Sequence, residues 1–93
     1  MEFEWDPKKA AKNFRKHRIS FNEAATVFGD SLGTTVLDPD HSLAEDRYIT
    51  VGRSSRGRLV MVAYTERGER IRIISARDLT RAERKAYEEE TKE

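Results

Sequence analysis

Three runs of β-type residues, 47–53, 59–65 and 70–76, lie so close together in this chain that hairpins must join them. Each mixes β-branched or aromatic residues with polar ones at close to period two, the pattern of a strand with one buried face. Parallel neighbours need a crossover of roughly a dozen residues or more. The intervening Ser54-Ser55-Arg56-Gly57 and Glu66-Arg67-Gly68-Glu69 are turn sequences with no space for one. An antiparallel meander is expected. Thr34-Thr35-Val36-Leu37 reads as a further strand, followed by the polar loop Asp38-Pro39-Asp40-His41.

The first third of the chain reads differently. Phe3-Glu4-Trp5 is a short extended opening, and Asp6-Pro7 then has the chemistry of a helix N-cap and first helical residue. That helix is expected to run to about His17, with Ala10, Phe14 and His17 as one apolar stripe. Lys8, Lys9, Lys12, Arg15 and Lys16 take the opposite flank. Ser20 and Glu23 have capping-box spacing and restart a helix that buries Phe21, Ala24, Ala25 and Phe28, ending at Gly29-Asp30. A second capping box, Thr80-Arg81-Ala82-Glu83, announces a closing helix whose apolar face is only Ala82, Ala86 and Tyr87. So polar a helix needs the sheet or a partner to lean on. The predicted fold is α+β, one domain over residues 1–93, with helices packed on one sheet face.

A chain of 93 residues has room for one core. Charged residues (38%) match apolar ones (37%), so that core is thin and the surface densely ionic. The absence of cysteine removes disulfides, thiolate catalysis and Cys-type zinc sites together, and it suits a reducing cytoplasm. No long apolar run or signal-like opening directs the chain to a membrane. The formal net charge of +1 conceals segregation. Residues 8–18 are basic without an acid, 30–46 are acidic, and the tail ends in Glu88, Glu89, Glu90 and Glu93. That distribution fits a protein that meets a polyanion on one side.

Arg53, Arg56, Arg58, Arg67, Arg70, Arg72 and Arg77 punctuate the strand runs. Guanidinium is charged at every physiological pH and forks onto phosphate oxygens in a fixed plane. Set at strand ends and on one open sheet face, these groups make a surface able to hold phosphates. The plainer alternative is a solvated face on which Glu66, Glu69 and Asp78 pair with some of them. Asp38, Asp40, His41 and Glu45 offer ligands for a divalent cation, but they crowd into one loop with no second carboxylate cluster, so neither metal nor cofactor is expected. Phosphate-cradling glycine loops, nucleophile elbows and zinc spacings are all missing.

Phe3-Glu4-Trp5-Asp6-Pro7-Lys8-Lys9-Ala10, Asn13, Lys16-His17, Ser20-Phe21, Glu23-Ala24 and Val27-Phe28 resemble the opening of BrnT toxins. The likeness continues through Asp40-His41-Ser42, Glu45, Arg47, Val51-Gly52, Ser54, Gly57-Arg58 and Arg72-Ile73-Ile74-Ser75-Ala76-Arg77, ending with Glu83-Arg84 and Tyr87-Glu88. One departure is visible: the family tends to carry glycine after Lys-His, and Arg18 stands there. The resemblance implies a RelE-like fold, β-α-α followed by an antiparallel sheet of three to four strands and a C-terminal helix. It implies a cytoplasmic ribonuclease that stops translation, neutralised by a BrnA-type antitoxin of ribbon-helix-helix class. Operator DNA would be met only through the antitoxin complex, and no membrane is involved.

Metal-free RNA cleavage needs a base for the 2′-OH, an acid for the leaving 5′-oxygen and cations at the phosphoryl oxygens. Arg67, Arg72 and Arg77, on or beside the last strand, are the candidates for the cations. The proton carriers open to consideration are His41, in a polar loop, and His17, at the end of the first helix. RelE-like nucleases use lysine, arginine and tyrosine instead of a histidine pair, which adds Tyr87, either as proton donor or stacking group or as an anchor for its helix. Lys8, Lys12, Arg53 and Arg58 are candidate RNA-binding residues. Two other readings of the same arginine surface stay open: a non-catalytic RNA- or DNA-binding module, and a protein–protein adaptor.

Overall fold

Local chemistry and structure agree closely at the first helix of the computed structural model, which describes residues 1–41 and 45–91, with His41 and Thr91 described by backbone only. Asp6 caps the helix by accepting the Lys8 N–H (2.9 Å), and Pro7 opens it. This helix, α1, spans Pro7–His17. Ser20 accepts the Glu23 N–H (3.0 Å) and starts α2, Phe21–Thr26, which tightens into a 3₁₀ turn, Val27–Gly29. Before them lies β1, Glu2–Glu4. After them come β2 (Thr34–Leu37), a 3₁₀ turn (Pro39–His41), β3 (Arg47–Arg53), β4 (Leu59–Arg67), β5 (Arg70–Asp78) and α3 (Arg81–Thr91).

The strands form one sheet in the order β1-β5-β4-β3-β2. Strands β2 to β5 make the expected antiparallel meander, while β1 adds a parallel edge beside β5. The hairpin strands run further than their sequence pattern suggests, so β4 and β5 are joined through Gly68-Glu69 alone. Gly68 takes φ 62°, the positive value that a two-residue hairpin turn requires and that glycine adopts without a Cβ clash.

One face of the sheet carries the core. Val60, Val62, Tyr64, Ile71, Ile73 and Ala76 meet Ile19, Phe21, Ala24 and Val27 from the helical side. Phe28 bridges Phe3 and Tyr64 with ring centroids 5.2 and 4.9 Å away, in tilted and edge-on geometry that stabilises the contact beyond the apolar area it buries. Burial of each large apolar side chain contributes about 1.5–3 kcal/mol. The expected stripe on α1 is rotated: Phe14 is 45% exposed, and Asn13 takes the buried position. The reason is the sheet edge. β1 pairs with β5 only as far as Arg72. Beyond it the Asn13 amide accepts the Ala76 N–H (3.1 Å) and donates to the Ala76 carbonyl (2.9 Å), replacing the missing strand. Through Glu83, α3 is tied to Arg77, which projects from the face opposite α1 and α2.

Arg18 ends α1 in the left-handed region (φ 59°), its N–H donating to the Phe14 carbonyl (2.8 Å). A Cβ is strained there, by about 1–2 kcal/mol, part of which glycine returns as unfolded-state entropy. Arg18→Gly is therefore expected to stabilise the fold by about 0.5–1 kcal/mol. A higher urea midpoint with unchanged m-value is the measurement; a lower one contradicts the strain argument.

Candidate active site on the open face of the sheet

The face turned away from α1 and α2 carries the charge, and register shows which residues share it. Arg47 stands opposite Thr65, and Thr65 opposite Arg72, whose parallel neighbour is Glu4. One rung towards the turn, Arg67 faces Arg70, which neighbours Glu2. A bulge at Ile74 shifts the phase of β5, so that Ser75 pairs with Ala63 and Arg77 with Met61. Without that extra residue Arg77 would point into the core. The bulge thus places Arg47, Arg67, Arg70, Arg72 and Arg77 on one side.

These guanidinium groups are not bare. Arg72 donates to Glu4 (2.8 Å), Arg67 to Glu45 (2.9 Å), and Arg70 lies 3.4 Å from Glu2. Arg77 forks onto Glu83 (2.8 and 2.9 Å) and also donates to the Asp78 carbonyl (3.0 Å). Of the two readings open from the sequence, phosphate-ready cations or a paired and solvated face, the second describes these arginines in the monomer, with glutamates supplied by β1, α3 and Glu45. Glu66 and Glu69, the neighbours along the chain, are not the partners in these pairs. Arg72 holds the Glu4 carboxyl below its usual range. The Arg77 guanidinium, then the Thr80 N–H, hold Glu83 down at about 2. The pair stays ionised at neutral pH. It is about one-third exposed on both sides, where such pairs contribute at most about 1 kcal/mol, and a phosphate can compete for the guanidinium.

A cavity of about 270 Å³ opens on this face, with Arg47 and Asp38 on one side and Arg77 on the other. Ile49, Met61, Ala63 and Ser75 complete it. Sequence reasoning misses Arg47 and Ser75 as site residues, and weighs Asp38 only as a metal ligand. Arg47 opens a strand run, and its period-two position marks it for this face; the convergence with Arg77 depends on the β5 bulge. Beside the cavity the Thr65 hydroxyl is buried with no hydrogen-bond partner among the described residues.

The remaining candidates disperse. Arg58 closes a partly buried ion pair with Glu23, its Nε 2.9 Å from Oε2, and donates to the Arg18 carbonyl (3.1 Å). Ser54 adds a 2.6 Å hydrogen bond to the same carboxylate. Led by Arg58, these contacts lower the Glu23 pKa against its burial. Arg53 donates to the Gly57 carbonyl (3.1 Å) within the β3–β4 hairpin. The Tyr87 hydroxyl donates to the Leu32 carbonyl (3.1 Å), pinning α3 to the loop before β2, and burial pushes its pKa up. Tyr87 does not line the cavity. Lys8 is exposed on the first turn of α1, and Lys12 lines a groove between α1 and β5. The His41 side chain lies outside the described residues. Among those that are described, no group of three or more His, Asp or Glu could hold a metal ion, and no helix is long and apolar enough to cross a membrane.

Comparison with known proteins gives this geometry a context. The crystal structure of the Brucella abortus ribonuclease toxin BrnT superposes with a TM-score of 0.64 at 21% identity, covering 87% of this chain and 99% of that one. That likeness establishes the fold: three helices and a five-stranded mixed sheet. No curated protein sequence matches the chain. The family model described as "Ribonuclease toxin, BrnT, of type II toxin-antitoxin system" matches residues 5–83, which takes in α1, the whole antiparallel meander and the Arg77–Glu83 pair. The chain belongs to the BrnT family of ribonuclease toxins of type II toxin–antitoxin systems.

Proposed function

We propose that this toxin cleaves RNA without a metal ion, by attack of a ribose 2′-OH on the adjacent phosphorus, in the cavity between Arg47 and Arg77. The observation that carries the reading is the meeting of two guanidinium groups and the Asp38 carboxylate around one cavity on the open sheet face. Charge that develops on the phosphoryl oxygens is stabilised by donors already in place, the strongest rate effect open to a metal-free site. Asp38 is the candidate acceptor for the 2′-OH proton, and His41, in the turn directly after it along the chain, the candidate donor to the leaving 5′-oxygen. Arg72, on the same rung as Arg47 and held by Glu4, adds a further guanidinium beside the cavity, while Arg67 stands at the hairpin end. Cleavage of messenger RNA by this route stops translation. A BrnA-type ribbon-helix-helix antitoxin neutralises the toxin by covering the open face, and operator DNA is met through that complex.

The test is the chemistry of the product ends. Purified toxin incubated with RNA in excess EDTA is expected to leave 2′,3′-cyclic phosphates and 5′-hydroxyls. Cleavage abolished by EDTA and restored by a divalent ion, or products ending in 5′-phosphates, would overturn the mechanism. Intact RNA together with undisturbed cell growth on expression would favour a binding module instead.

A further inference from the structure

On the sheet every arginine of the tail-ward strands has a carboxylate, yet a block of cations elsewhere has none among the described residues. Lys9, Lys12 and Lys16 share one side of α1 at spacings of three and four residues, so they rise in steps of about 4.5 and 6 Å along the axis. All three are exposed, and among the described residues none has a carboxylate partner. α1 itself contains no acid. With His17 and Asn13 these lysines form one wall of a groove of about 190 Å³. Its other wall is the β5 bulge, Ile74 and Ser75, and among the described residues no Asp or Glu lines it.

Ser75 belongs to both concavities: it lines the groove and also the arginine cavity. The bulge that turns Arg77 to the open face therefore also forms the sill between the two. A strand whose scissile phosphate sits between Arg47 and Arg77 has a continuous route over Ser75 onto the lysine row. We propose that this groove is a second RNA-binding subsite, taking the single-stranded backbone flanking the cleaved bond. It rests on the ribonuclease reading for its direction towards the cavity. Lys9, Lys12 and Lys16 bind successive phosphates, and Ile74 gives an apolar surface for a ribose or base. The division of labour follows from the pairing. Arginines held by glutamates have little net field at a distance, whereas the unpaired lysines attract and hold a polyanion. An acidic segment of a protein is the competing occupant; the route to the cavity favours RNA.

Binding, not cleavage, tests this. The probes are a fully 2′-O-methylated oligoribonucleotide of about a dozen residues, which has no attacking hydroxyl, and a trinucleotide of the same kind. The variant Lys9→Gln/Lys12→Gln/Lys16→Gln removes three contacts without burying anything. It is expected to lower the log–log salt slope for the longer probe by about 2 and its affinity by roughly 10²-fold near 0.1 M salt, while the trinucleotide loses far less. The corresponding triple arginine variant retains binding. Unchanged affinity and slope for the longer probe overturn the proposal, as does a loss confined to an acidic peptide probe. Since neither probe can be cut, a chain without nuclease activity would sink the catalytic reading and leave the groove to be judged on binding alone.

Discussion

Arg77→Ala is expected to lower the single-turnover rate of RNA cleavage by roughly 10²–10³-fold, the effect of deleting one preorganised donor to a developing oxyanion. The residue is singled out by position. The β5 bulge carries it to the rim of the cavity opposite Arg47, and Glu83 fixes its plane by accepting from both Nη atoms. Arg77→Lys keeps the charge and loses the fork, and it should recover only part of the rate. Arg67→Ala removes a guanidinium held by Glu45 at the hairpin end, with side chains about half exposed, and should cost less than about tenfold. The measurement is a single-turnover time course on an oligoribonucleotide, with circular dichroism to show that each variant is folded. A folded Arg77→Ala protein cutting at the parental rate removes the cavity from consideration. Loss in Arg67→Ala equal to that in Arg77→Ala would relocate the chemistry to the hairpin.

The largest effect on stability is expected far from that cavity. Arg58→Ala should destabilise the fold by about 3 kcal/mol, because it strands the Glu23 carboxylate, whose side chain is only 6% exposed, with Ser54 as its sole remaining side-chain donor among the described residues. The same change frees the Arg18 carbonyl, so the turn between α1 and α2 loses its tie to the β3–β4 hairpin. For a domain of 93 residues a loss of this size lowers Tm by roughly 10–20 °C. Thermal melts at neutral pH decide it. A drop of only about 2–3 °C would mean that Glu23 is rescued by water and that the pair is a surface contact.

Much of the architecture is legible along the chain because the signals are local. Asp6-Pro7, Ser20 and Thr80 start the helices that their chemistry announces, and the strand runs occur where period two places them. Local reasoning weakens where one side chain has two possible uses. Both capping boxes have the same spacing, yet only Glu83 completes one, accepting the Thr80 N–H (2.9 Å) while holding Arg77. Glu23 turns away from Ser20 to Arg58, thirty-odd residues distant along the chain, because a buried carboxylate is better satisfied by a guanidinium than by one backbone donor. Asn13 likewise displaces Phe14 from the inside of α1, since an open strand edge beneath the helix leaves backbone groups that only a polar side chain can satisfy.

The candidate site shows the same boundary more sharply. Residue types are readable: a chain dense in arginine on short strands, without cysteine or zinc-type ligand spacing, points to electrostatic chemistry on phosphates. Which arginines meet, and what they meet, is not. Period two assigns faces only while the ladder is unbroken, and the extra residue at Ile74 inverts the assignment for Ser75 and Arg77. The parallel pairing of β1 brings Glu2 and Glu4 beside Arg70 and Arg72, across most of the chain's length, and no local pattern encodes it. Sequence by itself determined the elements, their caps and the family. The tertiary structure decided which charges are neutralised within the monomer and which remain for a ligand, because Coulomb pairing depends on distances in space that a closed sheet edge and one bulge create.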